Sequence, residues 1–249
     1  MTHRLKILLA LVALVVSMTA AMASAGTRLS QRVLLADNSL DSTAPERAEA
    51  LRILGEMADL AATDQGVLAA APFQASALAT ITWPINRRFT PDPSDPNSYY
   101  RRLDLAQQAK QIKTQAKTLF AHQSGVQGTD IIGGLIAASE FFASEPTGPQ
   151  TLVINSNMWA YSPADGLMLK ERQLTRAQIA RLIDRLAQVG KIARLPGVCV
   201  YVVGAGLEPG RQIPTSVQLS MKSFWQAYFA RSGATVRAWT PTLDVEPSC

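Results

Sequence analysis

Histidine is almost missing from this chain, which has two among 249 residues, His3 and His122. Because His3 lies in a leader-like segment, a Ser-His-Asp or Cys-His mechanism would depend on His122 alone. No serine or cysteine stands in the G-x-S-x-G sequence of a nucleophile elbow. The count also excludes zinc catalysis by several histidine ligands. We interpret His122 as a solvated residue at the end of a polar helix, where its protonated form interacts favourably with the helix dipole.

Long runs of basic charge are also missing. The formal net charge is +5, and the only adjacent basic pairs are Arg87-Arg88 and Arg101-Arg102. No basic run interleaves with aromatic residues, which argues against a nucleic-acid partner. Beyond the first 25 residues, no stretch has the roughly 20 consecutive apolar residues that a helix needs to cross a bilayer.

The N-terminus has the pattern of a secretory signal peptide. Arg4 and Lys6 precede an unbroken apolar run over 7–16, and Ala-Ser-Ala at 23–25 has the small residues of a cleavage site. This pattern predicts a signal over residues 1–25, cleavage before Gly26, and export to the periplasm or the cell exterior. An uncleaved anchor is the alternative. The remaining residues, 26–249, are predicted to form one domain.

The two cysteines, Cys199 and Cys249, allow two interpretations. In an exported protein a lone pair favours a disulfide. The alternative is a buried thiol in a strand and a free thiol in the tail. We predict the disulfide because ten residues from Trp239 span up to roughly 33 Å. That length is enough for the tail to run back along the sheet to Cys199.

Apolar periodicity predicts alternating strands and helices. Strands are predicted over 32–36, 77–83, 151–154, 198–203 and 234–239, and helices over 44–62, 103–122, the segment after Asp130, 174–189 and 217–230. Residues 84–100, rich in Pro, Asp and Ser, are predicted to be an extended loop. The alternation indicates an α/β fold, doubly wound, with a mainly parallel central sheet flanked by helices.

Polar clusters follow two of these strands. Asp37, Ser39 and Asp41 come directly after the first strand, and Asn157 follows the strand over 151–154. Thr129 begins a helix that faces the same edge of the sheet. Because ligands of such sheets bind beyond the carboxyl ends of the strands, we expect these clusters to converge on one site.

Five segments, in this order, carry a resemblance to a known family. They are VLLADNSLDS, GTDIIGGLIAA, TLVINSNM, VCVYVVGAG and FWQAYFARSGATVRAW. The first resembles the D-x-S-x-S metal motif of the von Willebrand factor A domain family, and the second resembles that family's glycine–threonine turn and following helix. The third is similar to the strand that normally delivers an aspartate. The last two resemble a later strand with its glycine turn and the terminal helix and strand. The resemblance covers about residues 30–243.

The resemblance implies a single divalent ion, Mg²⁺ or else Ca²⁺ or Mn²⁺, whose shell a partner's carboxylate often completes. Asp37, Ser39 and Thr129 are its implied ligands, and these are the hard oxygen donors that Mg²⁺ and Ca²⁺ prefer. Two positions depart from the family pattern. Asp41 stands where a serine is usual, and Asn157 stands where an aspartate is usual.

In this interpretation other residues near the motifs lie directly behind the ligands or at the rim of the site: Ser42, Asp130, Ser156, Trp159 and Tyr161. Each also has a structural alternative. Asp41 or Ser42 would cap the following helix, and Asp130 would cap its own. Trp159 and Tyr161 would pack beneath the loop, whereas exposure at a rim would suit partner contact.

The leading functional expectation is an exported binding module that recognises a protein partner at this site. The alternatives are an exported metal-assisted hydrolase that uses the same acids, and a structural component whose site is vestigial. The segment GAGLEP at 204–209 lacks the spacing of a dinucleotide-binding motif and is interpreted as a tight turn.

Overall fold

The computed structural model describes residues 29–40, 42–73, 82–121, 123, 129–144, 148–162, 166–207, 210 and 212–249. The predicted signal peptide, Asp41, the predicted strand residues 77–81 and His122 lie outside these ranges. Within them, the architecture is α/β with a six-stranded, mostly parallel sheet between two layers of helices. The predicted fold class is therefore confirmed.

The elements are named here in chain order. The strands are β1 (Gln31–Ala36), β2 (Val67–Pro72), β3 (Ile85–Arg88), β4 (Gln150–Asn155), β5 (Tyr161–Ser162), β6 (Leu167–Met168), β7 (Cys199–Val203) and β8 (Thr235–Thr240). The helices are α1 (Ala44–Thr63), α2 (Ser98–Leu119), α3 (Ile131–Ala143), α4 (Arg176–Gln188) and α5 (Thr215–Ser232).

The main sheet has the order β3-β2-β1-β4-β7-β8, and β5 and β6 form a separate small hairpin. All neighbours in the main sheet are parallel except β3, which pairs antiparallel with β2 at one edge. The chain winds outward from β1 to β3, then returns to the centre and winds the other way from β4 to β8. The order of the strands therefore reverses between β1 and β4.

Alternate side chains of each strand enter two separate cores. Val33 and Leu35 of β1 pack with α3, α4 and α5, whereas Leu34 and Ala36 pack with α1 and α2. Both faces of β1 are fully buried, as is typical of a central parallel strand. An aromatic face of α5 lies in the first core; it comprises Phe224, Trp225, Tyr228 and Phe229.

The predicted strand over 77–83 and the predicted loop over 84–100 need correction. The strand after α1 is β2, over Val67–Pro72, and Thr82 and Trp83 are not in a strand. β2 reads VLAAAP, so its alanines continue the apolar pattern of the preceding helix and give little strand preference. The predicted loop over 84–100 contains β3 and the start of α2, which leaves only Pro84 and residues 89–97 irregular. β3 is short and carries Arg87 and Arg88, which suit an exposed edge strand.

The C-terminal tail, residues 241–249, covers the sheet face that α1 and α2 leave open beside β7. Leu243 is buried there, and its backbone accepts from Arg52 and donates to Glu49. The Tyr201 hydroxyl donates to the Ser248 carbonyl at 2.6 Å. Cys249 is bonded to Cys199 with a Cα–Cα distance of 5.4 Å. The predicted disulfide and the predicted return of the tail are confirmed.

An acidic groove of about 760 Å³ lies between α1 and this tail. It is lined by Glu49, Arg52, Glu56, Asp59, Leu60 and residues 242–247. The hydrogen bond from Arg52 lowers the pKa of the Glu49 carboxyl, and partial burial opposes that shift. Within the part of the chain that the structure describes, no helix has the length and apolar character needed to cross a membrane.

Candidate functional site

The carboxyl ends of β1 and β4 meet where the strand order reverses. Their last residues, Ala36 and Asn155, are direct partners in the sheet, and Asp37 N–H donates to the Asn155 carbonyl at 2.7 Å. Loops that leave two adjacent strands toward opposite sides open a crevice between them, which is where ligands bind in sheets of this type. Asp37 stands at the entrance of that crevice.

Asp37 brings three polar segments together, although only 8% of its surface is exposed. Its Oδ2 accepts from the Thr129 hydroxyl at 3.1 Å and lies 3.5 Å from the Ser156 hydroxyl. Its Oδ1 accepts from the backbone N–H of Ser39 at 2.9 Å. The structure thus places one carboxylate, from the end of β1, against hydroxyls from the start of α3 and the end of β4.

The loop after β4 is held in a fixed shape. Met158 has φ of +63°, a left-handed conformation that costs a non-glycine residue about 1 kcal/mol or more. Its N–H donates to the Ser156 hydroxyl at 3.2 Å, and its carbonyl accepts from the buried Trp225 indole at 2.9 Å. These two bonds orient Ser156 towards Asp37 before any ligand arrives.

Asn157 takes part in its own turn. Its Oδ1 accepts from the N–H of Trp159 at 3.1 Å, and its carbonyl accepts from Gly206 N–H at 2.9 Å. The second bond ties the loop after β4 to the loop after β7. A carboxamide oxygen has two lone pairs, so Asn157 keeps one acceptor position beyond its turn.

Asp130 is the N-cap of α3, as the structural alternative for that residue predicted. Its side chain accepts from Gly133 N–H at 2.8 Å. The cap fixes the start of α3 and so positions the neighbouring Thr129 against Asp37. Ile131 and Leu135 anchor the same helix in the core.

The cap of α1 differs from the prediction. Thr43 is the N-cap and forms a reciprocal capping box with Glu46, so Ser42 does not have this role. Ser42 is buried, and its carbonyl accepts from Arg47 at 2.8 Å and from Gln123. A threonine followed three residues later by glutamate is the stronger capping signal, and the sequence contains it at 43–46.

The two aromatic residues predicted near the rim have different outcomes. Trp159 is 8% exposed, which agrees with the packing alternative. The side chain of Tyr161 lies outside the described part of the structure. Among the described residues, large exposed apolar side chains on the loops at this edge of the sheet are Leu40, 45% exposed in the loop after β1, and Leu207, 44% exposed in the loop after β7.

Two asparagines at the site were missed by the sequence reasoning. Asn155 donates from its side chain to the Glu46 carbonyl at 2.8 Å and so fixes α1 to the end of β4. Asn38 is 5% exposed, and its Oδ1 has no hydrogen-bond partner among the described residues. Neither position has a sequence signal of its own, since both follow from strand ends whose exact limits the sequence leaves open.

The donor set can be compared with what a cation requires. Within the described ranges, no three His, Cys, Asp or Glu side chains form a group suited to a metal ion. Among the described residues, which do not include Asp41, a cation beside Asp37 would therefore find one carboxylate together with hydroxyl oxygens from Ser39, Thr129 and Ser156. A set of one charged and several neutral oxygen ligands fits Mg²⁺, which retains several waters and binds through one or two carboxylates.

No protein-family model matches the chain, and no curated protein matches it significantly.

Proposed function

We propose that this protein is a binding module that recognises a protein partner at the edge of the sheet between β1 and β4, through a divalent cation held by Asp37. The observation that carries this proposal is the convergence of Asp37 with the hydroxyls of Thr129 and Ser156. These residues come from segments about 90 and 30 positions apart, and they meet where the strand order reverses.

The site is suited to binding because its parts are fixed in advance. A capped α3 positions Thr129, the bonded loop after β4 positions Ser156, and a backbone N–H orients the Asp37 carboxylate. Preorganised side chains lose little conformational entropy when a partner binds. A bound Mg²⁺ would supply the positive charge that holds a partner's carboxylate.

The surroundings favour a protein partner over a small ligand. Leu40 and Leu207 are exposed on the loops that leave β1 and β7 at the same edge of the sheet. Exposed apolar side chains around a polar centre provide the contact area that a protein interface needs. The resemblance to the von Willebrand factor A domain family, with Asp37, Ser39 and Thr129 as ligands, supports the same interpretation.

We propose that the protein acts outside the cytoplasm, in the periplasm or the cell exterior. The Cys199–Cys249 disulfide is compatible with an oxidising compartment. The signal-like sequence over 1–25 supports export.

Calorimetric titration of the chain from Gly26 onward with Mg²⁺, Mn²⁺ and Ca²⁺ tests the proposal. We expect one cation per chain, with Mg²⁺ and Mn²⁺ bound and the binding reversed by a chelator. Asp184→Asn removes an exposed carboxylate of α4, a helix that contributes none of the site residues, and should leave the titration unchanged. No cation binding at millimolar Mg²⁺ would contradict the proposal and favour the vestigial-site alternative. Cation-dependent turnover of phosphoesters or peptides would favour the hydrolase.

A further inference from the structure

The open edge of β8 offers a second interaction surface, unrelated to the site at Asp37. Within the described part of the chain, β8 pairs on one side only, with β7. It is six residues long, whereas β3 at the opposite edge has four and carries two arginines. An edge strand of this length, with unpaired backbone groups, is a template for another strand.

The backbone of β8 presents a defined set of groups to that edge. Thr235 donates to the Val198 carbonyl at 2.9 Å, and Thr240 accepts from Gly204 at 2.9 Å, so both point inward. Because backbone groups alternate along a strand, Val236 and Trp239 direct their N–H and C=O groups outward. The pairing of β8 with β7 skips Arg237, so two residues rather than one lie between the outward-facing Val236 and Trp239.

This bulge at Arg237 also places Val236 and Trp239 on one face of the sheet. Val236 and Trp239 pack against the core formed with α3, α4 and α5, whereas Ala238 packs against the other core. The strand is therefore symmetric about its centre at 237–238. A two-fold axis normal to the sheet would turn β8 onto a second β8 with the same faces aligned.

We propose that β8 pairs antiparallel with β8 of a second copy of this chain, which would join two six-stranded sheets into one. In this register Val236 faces Trp239 of the second copy, a β-branched and an aromatic residue that form a favourable cross-strand pair. Thr235 faces Thr240 of the second copy, which is also a favourable pair. Val236 and Trp239 of both chains would exchange four backbone hydrogen bonds.

The charges near this edge are compatible with pairing. Arg237 lies opposite Ala238 of the second copy, and its guanidinium extends back to Cys199 Sγ of its own chain at 3.5 Å. Lys222 of α5 is held 5.9 Å above the ring of its own Trp239. No two cations therefore stand directly opposite each other in the paired strands.

Helix α5 would extend the interface. The cation–π contact of Lys222 shows that this side of α5 lies above β8, and exposed Gln226, one turn along the helix, continues the same side. The same axis runs α5 antiparallel to its copy.

The area of the β8–β8 interface sets the expected affinity of the dimer. A strand edge about 20 Å long and about 10 Å thick covers a few hundred Å², less than the roughly 800 Å² per partner of a stable complex. With α5 added, we expect a dimer whose dissociation constant is about 10–100 µM.

Sedimentation velocity from about 1 to about 300 µM, spanning this expected range, tests the proposal on the chain from Gly26 onward. We expect a shift from monomer to dimer. Val236→Pro removes an N–H that points away from β7 and should weaken association at least about tenfold. Leu103→Glu, at a 49% exposed leucine on α2 near the opposite edge, should not. A monomer at every concentration would overturn the proposal and leave the edge to a different partner.

Amide hydrogen exchange gives a readout that does not depend on a variant folding. At dimer concentrations the amides of Val236 and Trp239 should become protected, whereas those of the β3 edge, Arg87 and Arg88, should not change. A dimer that forms while Val236 and Trp239 exchange as fast as in the monomer would also overturn the proposal, since it would use another surface.

Discussion

Cys249→Ser is expected to lower the free energy of unfolding by about 3–4 kcal/mol, because the Cys199–Cys249 bond closes a loop with a sequence separation of 50 residues. The bond restricts the unfolded chain, and a loop of this length corresponds to about 4 kcal/mol before native strain is subtracted. Cys249 is the better position to change, since it is exposed whereas Cys199 is buried. Urea unfolding at pH 7 measures the loss.

The variant has two controls. The unchanged protein under reducing conditions should match Cys249→Ser, because both lack the bond and keep the tail. Glu246→Gln alters an exposed tail residue and should keep full stability. A loss below about 1 kcal/mol would mean that the buried Leu243 and the Tyr201–Ser248 hydrogen bond restrain the tail as well without the disulfide.

Asp37→Ala is expected to weaken Mg²⁺ binding by at least about 100-fold, since the loss of a residue outside the ligand shell already costs about 10- to 100-fold. The substitution removes the single described carboxylate at the site and leaves the Thr129 and Ser156 hydroxyls without their common acceptor. Calorimetry measures the affinity, and a thermal melt verifies that the variant folds. Unchanged Mg²⁺ affinity in Asp37→Ala would refute the site assignment.

Asn157→Asp is expected to tighten Mg²⁺ binding, by on the order of 1 kcal/mol or about fivefold. An aspartate keeps the acceptor that bonds Trp159 N–H and adds a formal charge beside the site. The matched pair of Asp37→Ala and Asn157→Asp thus changes the charge of the site in opposite directions. Weaker binding in Asn157→Asp would indicate that the site already holds enough negative charge, with Asp41 as the source.

The central part of the fold could be predicted because buried parallel strands and amphipathic helices have strong patterns. β1, β4, β7 and β8 lie within one residue of their predicted limits, as does the end of α1. β1, β4 and β7 are largely apolar, and their burial on two faces leaves little choice of residue. The disulfide followed from the parallel arrangement of β7 and β8 and from the length of the tail.

The elements on the side of β2 and β3 were harder to predict, because their residues have weak or opposing preferences. β2 is alanine-rich and β3 reads INRR, so neither has the alternation of a half-buried strand. α2 begins at Ser98 rather than near Leu103, since Asn97 caps it and its first turn exposes Tyr99 and Tyr100. A helix whose first turn is exposed has no apolar periodicity there.

At the site, the sequence predicted which segments meet but not which atoms do. Strand ends and the parallel sheet brought Asp37 and Thr129 together. Ser156 rather than Asn157 is the side chain described against Asp37, and Asn157 instead accepts from Trp159 N–H within its own turn. The left-handed φ of Met158 in the same loop has no signature in a sequence that lacks glycine at the position.

Paramagnetic broadening by Mn²⁺ tests the central claim most directly, because it locates the cation on the chain. A substoichiometric amount of Mn²⁺ is added to the ¹⁵N-labelled chain from Gly26 onward, and amide signals are followed by NMR. We predict that the signals of Asp37, Ser39, Thr129 and Ser156 broaden first and recover with chelator. Broadening that begins instead in the acidic groove between α1 and the tail, or no selective broadening at all, would contradict a cation site at Asp37.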